Sequence, residues 1–256
     1  MRSIWKGSIS FGLVNIPVKL YSATQQSNLD LDMVDKRDMG KVRFRRINEN
    51  TGQEMPADQI GKAYMYNGEY ILLEDEDFEA AAPEKSKIIE ISNFVRESEI
   101  DTIYFENAYY LEPEKSGEKA YALLREAMKK SGKVGLAQFV LRTSSTLSIL
   151  KPKNDVLVLS KIRFAEEIRS TEELKLPAKS LIKTPELDMA LALVDQYTEK
   201  FDISKYRDEY AAALLKVIEQ RASGKKGTVR KLKVTYTNTD NLVDQLKASL
   251  ARKKAS

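Results

Sequence analysis

The run from Glu74 to Glu79 carries five carboxylates in six residues and is the densest acidic cluster of the sequence. Carboxylate oxygens hold Mg²⁺, so one hypothesis is a metal-dependent nuclease or phosphoryl-transfer enzyme that uses these side chains. The run does not have the Asp-x-Asp-x-Asp-Gly spacing of a calcium loop. Acidic residues also stabilise the first turn of a helix through its dipole. A helix N-terminus explains the run better than a metal site does.

Most other catalytic groups are absent from the sequence. It contains no His and no Cys, which excludes Ser-His-Asp and Cys-His catalysis, thiolate or imidazole metal ligands, and disulfides. It also contains neither a G-x-x-x-x-G-K-[ST] phosphate loop nor a G-x-G-x-x-G turn. We therefore predict a protein that is not an enzyme and holds no metal.

A run of cations between residues 36 and 46 is a candidate for binding nucleic acid. In β geometry Lys41, Arg43 and Arg45 project from one face, so we predict a strand over 41–47 with Val42 and Phe44 packed behind the cations. Such a row matches the line of phosphate charges along DNA, although a solubilising face on an edge strand has the same pattern. The predicted DNA-binding residues of this run are Lys36, Arg37, Lys41, Arg43, Arg45 and Arg46.

A second group of cations flanks apolar, strand-like segments further along the chain. Arg142, Lys151 and Lys153 are predicted to line one rim and to bind DNA, with Lys161 and Arg163 in the same region. A solvated rim without any ligand has the same pattern, since charged side chains are mostly exposed.

Charge is spread unevenly along the chain, whose net charge is +4. Nine cations and two acidic residues give residues 224–256 a charge of +7, which leaves −3 for residues 1–223. A basic linker followed by a short amphipathic helix predicts a DNA tether and a docking helix, although a disordered, solvated terminus is the alternative. The tail residues predicted to bind DNA are Lys225, Lys226, Arg230, Lys231, Lys233, Arg252, Lys253 and Lys254, and those predicted to dock a partner are Leu242, Leu246 and Leu250.

The elements that position these residues follow from the periodicity. Alternating apolar residues predict many strands before Lys183, and a period of 3.6 predicts helices after it. This order indicates an α+β fold with a β-barrel-like core and a helical C-terminal arm. The predicted strands are 5–11, 14–20, 41–47, 62–66, 70–73, 87–95, 134–142, 145–150 and 155–160, and the predicted helices are 118–130, one starting at Thr184, 204–222 and 240–253.

No segment reaches the roughly 20 apolar residues that span a bilayer, and no signal-peptide hydrophobic run is visible at the start. We therefore expect a cytoplasmic protein without membrane contact. Its length allows one large domain or two small ones.

Several stretches of the sequence resemble bacterial Ku proteins. The longest is Ile4–Thr24, which reads IWKGSISFGLVNIPVKLYSAT. The resemblance extends to about Ala222 and so covers nearly the whole chain. The other matching stretches are Tyr70–Asp77, Tyr110–Pro113, Lys119–Ala127 and Tyr206–Tyr210.

This resemblance implies a homodimer that closes a ring around the end of double-stranded DNA, without sequence specificity. It implies a β-barrel core with a strand-built bridge over 1–183, a helical arm over 184–223 that embraces the partner subunit, and a basic tail over 224–256. It further implies protection of DNA ends in the bacterial nucleoid, recruitment of an ATP-dependent DNA ligase for non-homologous end joining, and no cofactor.

The chain departs from many bacterial relatives at Asn48–Thr51, where they have Cys-x-x-Cys. Here the loop is expected to hold itself by turn chemistry, for which Asn50, Thr51 and Gly52 are suited. Two alternative functions stay open at this point. They are the Mg²⁺-dependent enzyme that uses Glu74–Glu79 and a general RNA-binding protein.

Overall fold

The computed structural model of the chain describes residues 1–27, 29–81, 87–141, 144–224 and 242–251. Contacts between residues divide the chain into two compact units. The first comprises residues 1–26 and 31–169, and the second comprises residues 27–30 and 170–256.

The described residues form nine strands and five α-helices. The strands are β1 (Trp5–Phe11), β2 (Val14–Ser22), β3 (Lys62–Tyr66), β4 (Glu69–Leu73), β5 (Ile88–Arg96), β6 (Phe105–Pro113), β7 (Lys133–Leu141), β8 (Ser144–Lys153) and β9 (Val156–Ile162). The helices are α1 (Asp75–Ala81), α2 (Glu118–Ser131), α3 (Thr184–Tyr197), α4 (Glu209–Ala222) and α5 (Leu242–Ala251). The predicted α+β class is confirmed.

Seven strands of the first unit close into a barrel in the order β1-β2-β6-β9-β8-β7-β5. Neighbouring strands are antiparallel except at the seam between β1 and β5, which is parallel and pairs Ser8–Ser10 with Ile88–Glu90. An odd number of strands cannot alternate in direction all the way round a closed sheet, so one parallel seam is required. β3 and β4 form a separate hairpin, whose turn residues Asn67 and Gly68 both have positive φ, as the sequence predicts.

The buried core is made by the alternating apolar residues of the barrel strands, and helix α2 adds Tyr121, Leu124 and Met128 to it. The Tyr121 hydroxyl donates to the carbonyl of Leu111, at 2.7 Å, and accepts from the amide of Leu157, at 2.6 Å. Those two residues are opposite partners on β6 and β9. One buried hydroxyl therefore ties α2 to two strands, and burial raises the pKa of Tyr121.

The strand predicted over 41–47 was incorrect, and one strand of the barrel was not predicted. The segment 41–47 contains only isolated bridges at Lys41 and Ile47, because no neighbouring strand is there to extend the pairing. Strand β6 was not predicted from the sequence. Its pairing with β9 shifts in register between Phe105 and Ala108. The alternation of buried and exposed residues is therefore interrupted along β6, and the sequence does not show the regular pattern of a strand.

The second unit contains α3, α4 and α5. Pro185 lies in the first turn of α3, and the Asp208 carboxylate accepts the amide of Ala211 at the start of α4, which therefore begins later than the predicted Ser204. Helix α5 packs against α3. On α3 the half-buried apolar residues are Met189, Ala190 and Leu193, whereas Leu187, Leu191 and Val194 are exposed.

Candidate nucleic-acid interface

The predicted cations at 36–46 lie on an irregular extension between β2 and β3. The amide of Val42 donates to the carbonyl of Met33 at 2.9 Å, and the amide of Met55 donates to the carbonyl of Arg46 at 2.8 Å. These bonds close two short hairpin-like turns that keep residues 41–47 extended. The cations therefore lie on an exposed extension of the first unit, although not on a regular strand.

Three of the six cations have acidic neighbours. Lys41 lies 2.8 Å from Asp32, Arg45 lies 2.8 Å from Glu54, and Arg37 lies 2.6 Å from Asp35. The Arg37 hydrogen bonds lower the pKa of Asp35. All three pairs are on the surface, where water and salt screen the attraction, so a phosphate group can take the place of the carboxylate.

The other three cations are Lys36, Arg43 and Arg46. Each is exposed, and among the described residues none of them lies within 4.0 Å of a carboxylate. Arg43 lies between the paired Lys41 and Arg45, so the row contains a cation whose charge is not offset by a close partner within the described part of the chain.

The apolar residues behind the cations are not packed, contrary to the expectation from the sequence. Phe44 is 82% exposed and Val42 is 47% exposed. The physical reason is that, among the residues that the structure describes, no second layer covers this segment. The hairpin of β3 and β4 also exposes large residues, among them Tyr64, Tyr66 and Tyr70. Sequence periodicity could not reveal this, because it does not distinguish packing within one chain from packing on another.

The second predicted group has five cations, and three of them form ion pairs with acidic residues of the first unit. Lys151 forms an ion pair with Glu97, and Glu106 pairs with both Lys161, at 2.9 Å, and Arg163, at 3.1 Å. The hydrogen bond from Lys161 is the main reason that the pKa of Glu106 is lowered. Lys153 is exposed at the end of β8. Arg142 lies outside the described residues.

The loop at Asn48–Thr51 holds itself by hydrogen bonds, as predicted. The Asn48 side-chain oxygen accepts the amides of Asn50, at 2.9 Å, and Thr51, at 3.2 Å. Gly52 then takes a positive φ of 68°, which glycine adopts without steric cost.

The acidic run Glu74–Glu79 forms the beginning of helix α1. Asp75, Glu76 and Asp77 occupy its first turn, and the Asp77 carboxylate accepts the amide of Glu74 at 2.9 Å. The preferred interpretation as helix-stabilising residues is confirmed. Within the described part of the chain, no group of three or more acidic residues is arranged to hold a metal ion.

The predicted docking residues of the tail lie on helix α5. Leu246 and Leu250 are half-buried and Leu242 is 39% exposed, on a helix that packs against α3. The predicted tail cations lie outside the described residues, and they are Lys225, Lys226, Arg230, Lys231, Lys233, Arg252, Lys253 and Lys254. None of the described helices is both long and apolar enough to cross a membrane.

Comparison with known proteins identifies the fold family. Residues 10–189 match the family model described as "Ku: Ku70/Ku80 beta-barrel domain". Three similar relatives share the name "Non-homologous end joining protein Ku". The relative from Coxiella burnetii is 40% identical over 99% of this chain and 95% of its own length. The relative from Bacillus subtilis is 38% identical over 98% of this chain and 82% of its own. The relative from Archaeoglobus fulgidus is 38% identical over 98% of both chains.

The family match covers most of the closed barrel, and the relatives align with the chain almost from end to end. The sequence resemblance is thus confirmed at the level of the family. The chain belongs to the Ku family.

Proposed function

We propose that the chain binds the ends of double-stranded DNA and acts in non-homologous end joining, without catalysing a reaction itself. The names of its relatives support this role. The observation that carries the proposal is the exposed row of cations from Lys36 to Arg46, half of which have no close acidic partner among the described residues. Contacts of cations with phosphates position a protein on DNA without reading its sequence.

The working form is a homodimeric ring, in which residues 1–183 supply the barrel and bridge and residues 184–223 supply the arm. A contiguous patch of exposed apolar side chains marks an interaction site. Phe44 on the extension, Tyr70 on β4, and Leu191 and Val194 on α3 are exposed, and a second copy of the chain is the partner that would cover them. Two-fold symmetry would then present the cationic row to DNA twice.

A closed ring explains a preference for ends without any contact to bases. Such a ring loads only by threading over a free end, and it cannot load on a covalently closed circle. Lys151 and Lys153 contribute to the DNA track in this proposal, as does Arg142. The ion pair of Lys151 with Glu97 makes its contribution smaller than that of the exposed Lys153.

The tail, 224–256, supplies the basic DNA tether and the site that recruits an ATP-dependent DNA ligase. In this proposal the ligase binds the apolar stripe Leu242, Leu246 and Leu250. Because Leu246 and Leu250 are half-buried on a helix packed against α3, the ligase must either displace α3 from this stripe or begin binding at the more exposed Leu242.

Competition for a fluorescent linear duplex tests end binding. Unlabelled linear DNA should compete fully, whereas the same plasmid as a covalently closed circle should not, until a restriction enzyme opens it. Blocking both ends of a bound duplex with biotin and streptavidin should trap the protein on the DNA. Equal competition by linear and closed DNA would refute the ring.

Two other functions would be revealed by the same samples. Equal competition by RNA would indicate a general RNA-binding protein. Cleavage of the labelled DNA in Mg²⁺ that is abolished by Asp75→Asn would indicate the metal-dependent enzyme, and it would contradict a purely binding role.

A further inference from the structure

An apolar groove lies on the first unit between helix α2 and strands β5 and β7. Its volume is about 510 Å³, and it is lined by Phe11, Phe94, Leu123, Ala127, Met128 and Lys133, among others. This volume falls within the range of about 300–1,000 Å³ that is typical of ligand sites. The groove is separate in sequence from the cations at 36–46, and it plays no part in the proposed DNA contacts.

The wall of the groove is built by a β-bulge. The pairing of β5 with β7 shifts between Ile91 and Asn93, and a bulge of this kind re-aims the side chains that follow it. It brings Phe94 opposite Gly135. A side chain at Gly135 would begin 3.5 Å from the Phe94 ring and 3.3 Å from Ile91, so glycine leaves room for the ring to form the wall.

Two of the lining side chains project into solvent. Leu123 is 68% exposed on α2 and Phe94 is 41% exposed on β5, while Met128 forms the buried floor. Leu13, at the tip of the hairpin that also carries Phe11, is fully exposed. An apolar groove with protruding apolar residues on both sides fits the apolar face of a helix.

The charge around the groove is positive. Lys133 lines it, Arg96 is the cross-strand partner of Lys133, and Lys130 is in the last turn of α2. Among the described residues, none of the three side-chain cationic groups lies within 4.0 Å of a carboxylate, whereas the neighbouring Lys129 pairs with Glu126 at 3.4 Å. The backbone amide of Arg96 donates to the Glu99 carboxylate at 3.2 Å, so one carboxylate does lie beside the Arg96 backbone. Lys130 and Lys133, on either side of the Gly132 that ends α2, also complement the dipole of this helix, whereas Arg96 is on a strand.

We propose that this groove docks an acidic amphipathic helix of a partner protein. The apolar side chains of that helix would cover Leu123 and Phe94, and its carboxylates would pair with Arg96, Lys130 and Lys133. Nucleic acid does not fit this site, because the lining is mostly apolar and offers few donors to phosphate. The site gives the barrel a second binding surface that leaves the DNA track free.

A peptide library displayed on phage tests this proposal directly. The probe is a set of helix-forming peptides of about 15 residues, selected on the full-length protein and then measured by fluorescence anisotropy. We expect the selected peptides to be acidic, with apolar residues spaced three and four apart. The variant Leu123→Glu should weaken their binding at least about tenfold.

The matched control is Leu176→Glu, because Leu176 is 70% exposed and lies outside the groove. This control should bind the peptides as the parent protein does. Lys133→Glu should weaken acidic peptides and should improve binding of versions in which Glu is replaced by Lys. DNA-end binding should be unchanged in all three variants, which separates failure of this site from failure of the proposed function.

Several results would overturn the proposal. They are a selection that enriches no peptide, enriched peptides that bind Leu123→Glu as tightly as the parent protein, and a charge preference that Lys133→Glu leaves unchanged. Loss of DNA binding in Leu123→Glu would show instead that the groove supports the DNA-binding structure and is not an independent docking site.

Discussion

Replacing Arg43 with alanine should make DNA binding less sensitive to salt. Arg43 is exposed and has no close acidic partner among the described residues, so the substitution removes a cation without exposing an opposing charge. Each lost phosphate contact lowers the slope of log affinity against log salt by about 0.9. The proposed homodimer would carry two copies of Arg43, so the slope should become shallower by about 1.8.

The size of the effect therefore depends on the salt concentration. Between about 50 and 200 mM salt, a slope difference of about 1.8 changes the ratio of parent to variant affinity by about twelvefold. Arg45→Ala should have a similar effect on the slope. Glu54→Gln should tighten binding, because the Glu54 carboxylate lies 2.8 Å from Arg45 and competes with phosphate for it.

Fluorescence anisotropy with labelled linear duplexes of several sequences is the assay, and Arg169→Ala is the control. Arg169 is exposed at the end of the first unit, outside the proposed track. The loss should be equal for every DNA sequence, because phosphate contacts carry no sequence information. Parent-like slopes for both Arg43→Ala and Arg45→Ala would refute the assignment of this row to the DNA track.

Three further predictions concern the framework. Tyr121→Phe should lower the free energy of unfolding of the first unit by about 2–4 kcal/mol, because the buried Leu157 amide and Leu111 carbonyl each lose a partner. Urea unfolding measures this loss, and a smaller value would mean that water replaces the hydroxyl. The hydrogen bond from Lys161 lowers the pKa of Glu106 below the ordinary value of a glutamate. This ion pair therefore stabilises the fold above the ordinary pKa, and the stabilisation is lost as the pH falls through the lowered pKa. The free energy of unfolding of Glu106→Gln should thus fall less at acid pH than that of the parent. The same decrease in both proteins would contradict this prediction. Leu246→Asp should release α5 and speed amide exchange over 242–251; unchanged exchange would refute packing of α5 on α3.

Six of the seven barrel strands were predictable because one face of each packs into a core made by the same chain, whereas β6 was not predicted. The segment 41–47 has a similar alternation, but Val42 and Phe44 are exposed. The alternation alone therefore led to an incorrect prediction of a packed strand. A sequence pattern records which face is apolar, whereas strand formation also needs a neighbour to pair with.

The cations of the barrel illustrate a second limit. Lys151 and Glu97 are 54 residues apart, and the barrel brings them together in an ion pair. The groove depends in the same way on a register shift and on Gly135, which faces Phe94 only after β5 and β7 have paired. The registers of distant strands decide such contacts, and local periodicity does not encode them.

The cationic extension is part of the insertion that joins β2 to β5. The place of these two strands in the barrel has a consequence for the length of that insertion. The chain leaves the barrel from β2 and returns in β5, and both strands neighbour β1. The two attachment points are therefore about 10 Å apart across the sheet, with a further offset along β1, because Leu20 is opposite Trp5 and Ile88 is opposite Ser8. Doubling a flexible insertion costs only about 0.6 kcal/mol in loop-closure entropy. The part of the chain proposed to meet DNA can thus be lengthened, shortened or exchanged with little effect on the stability of the barrel that carries it.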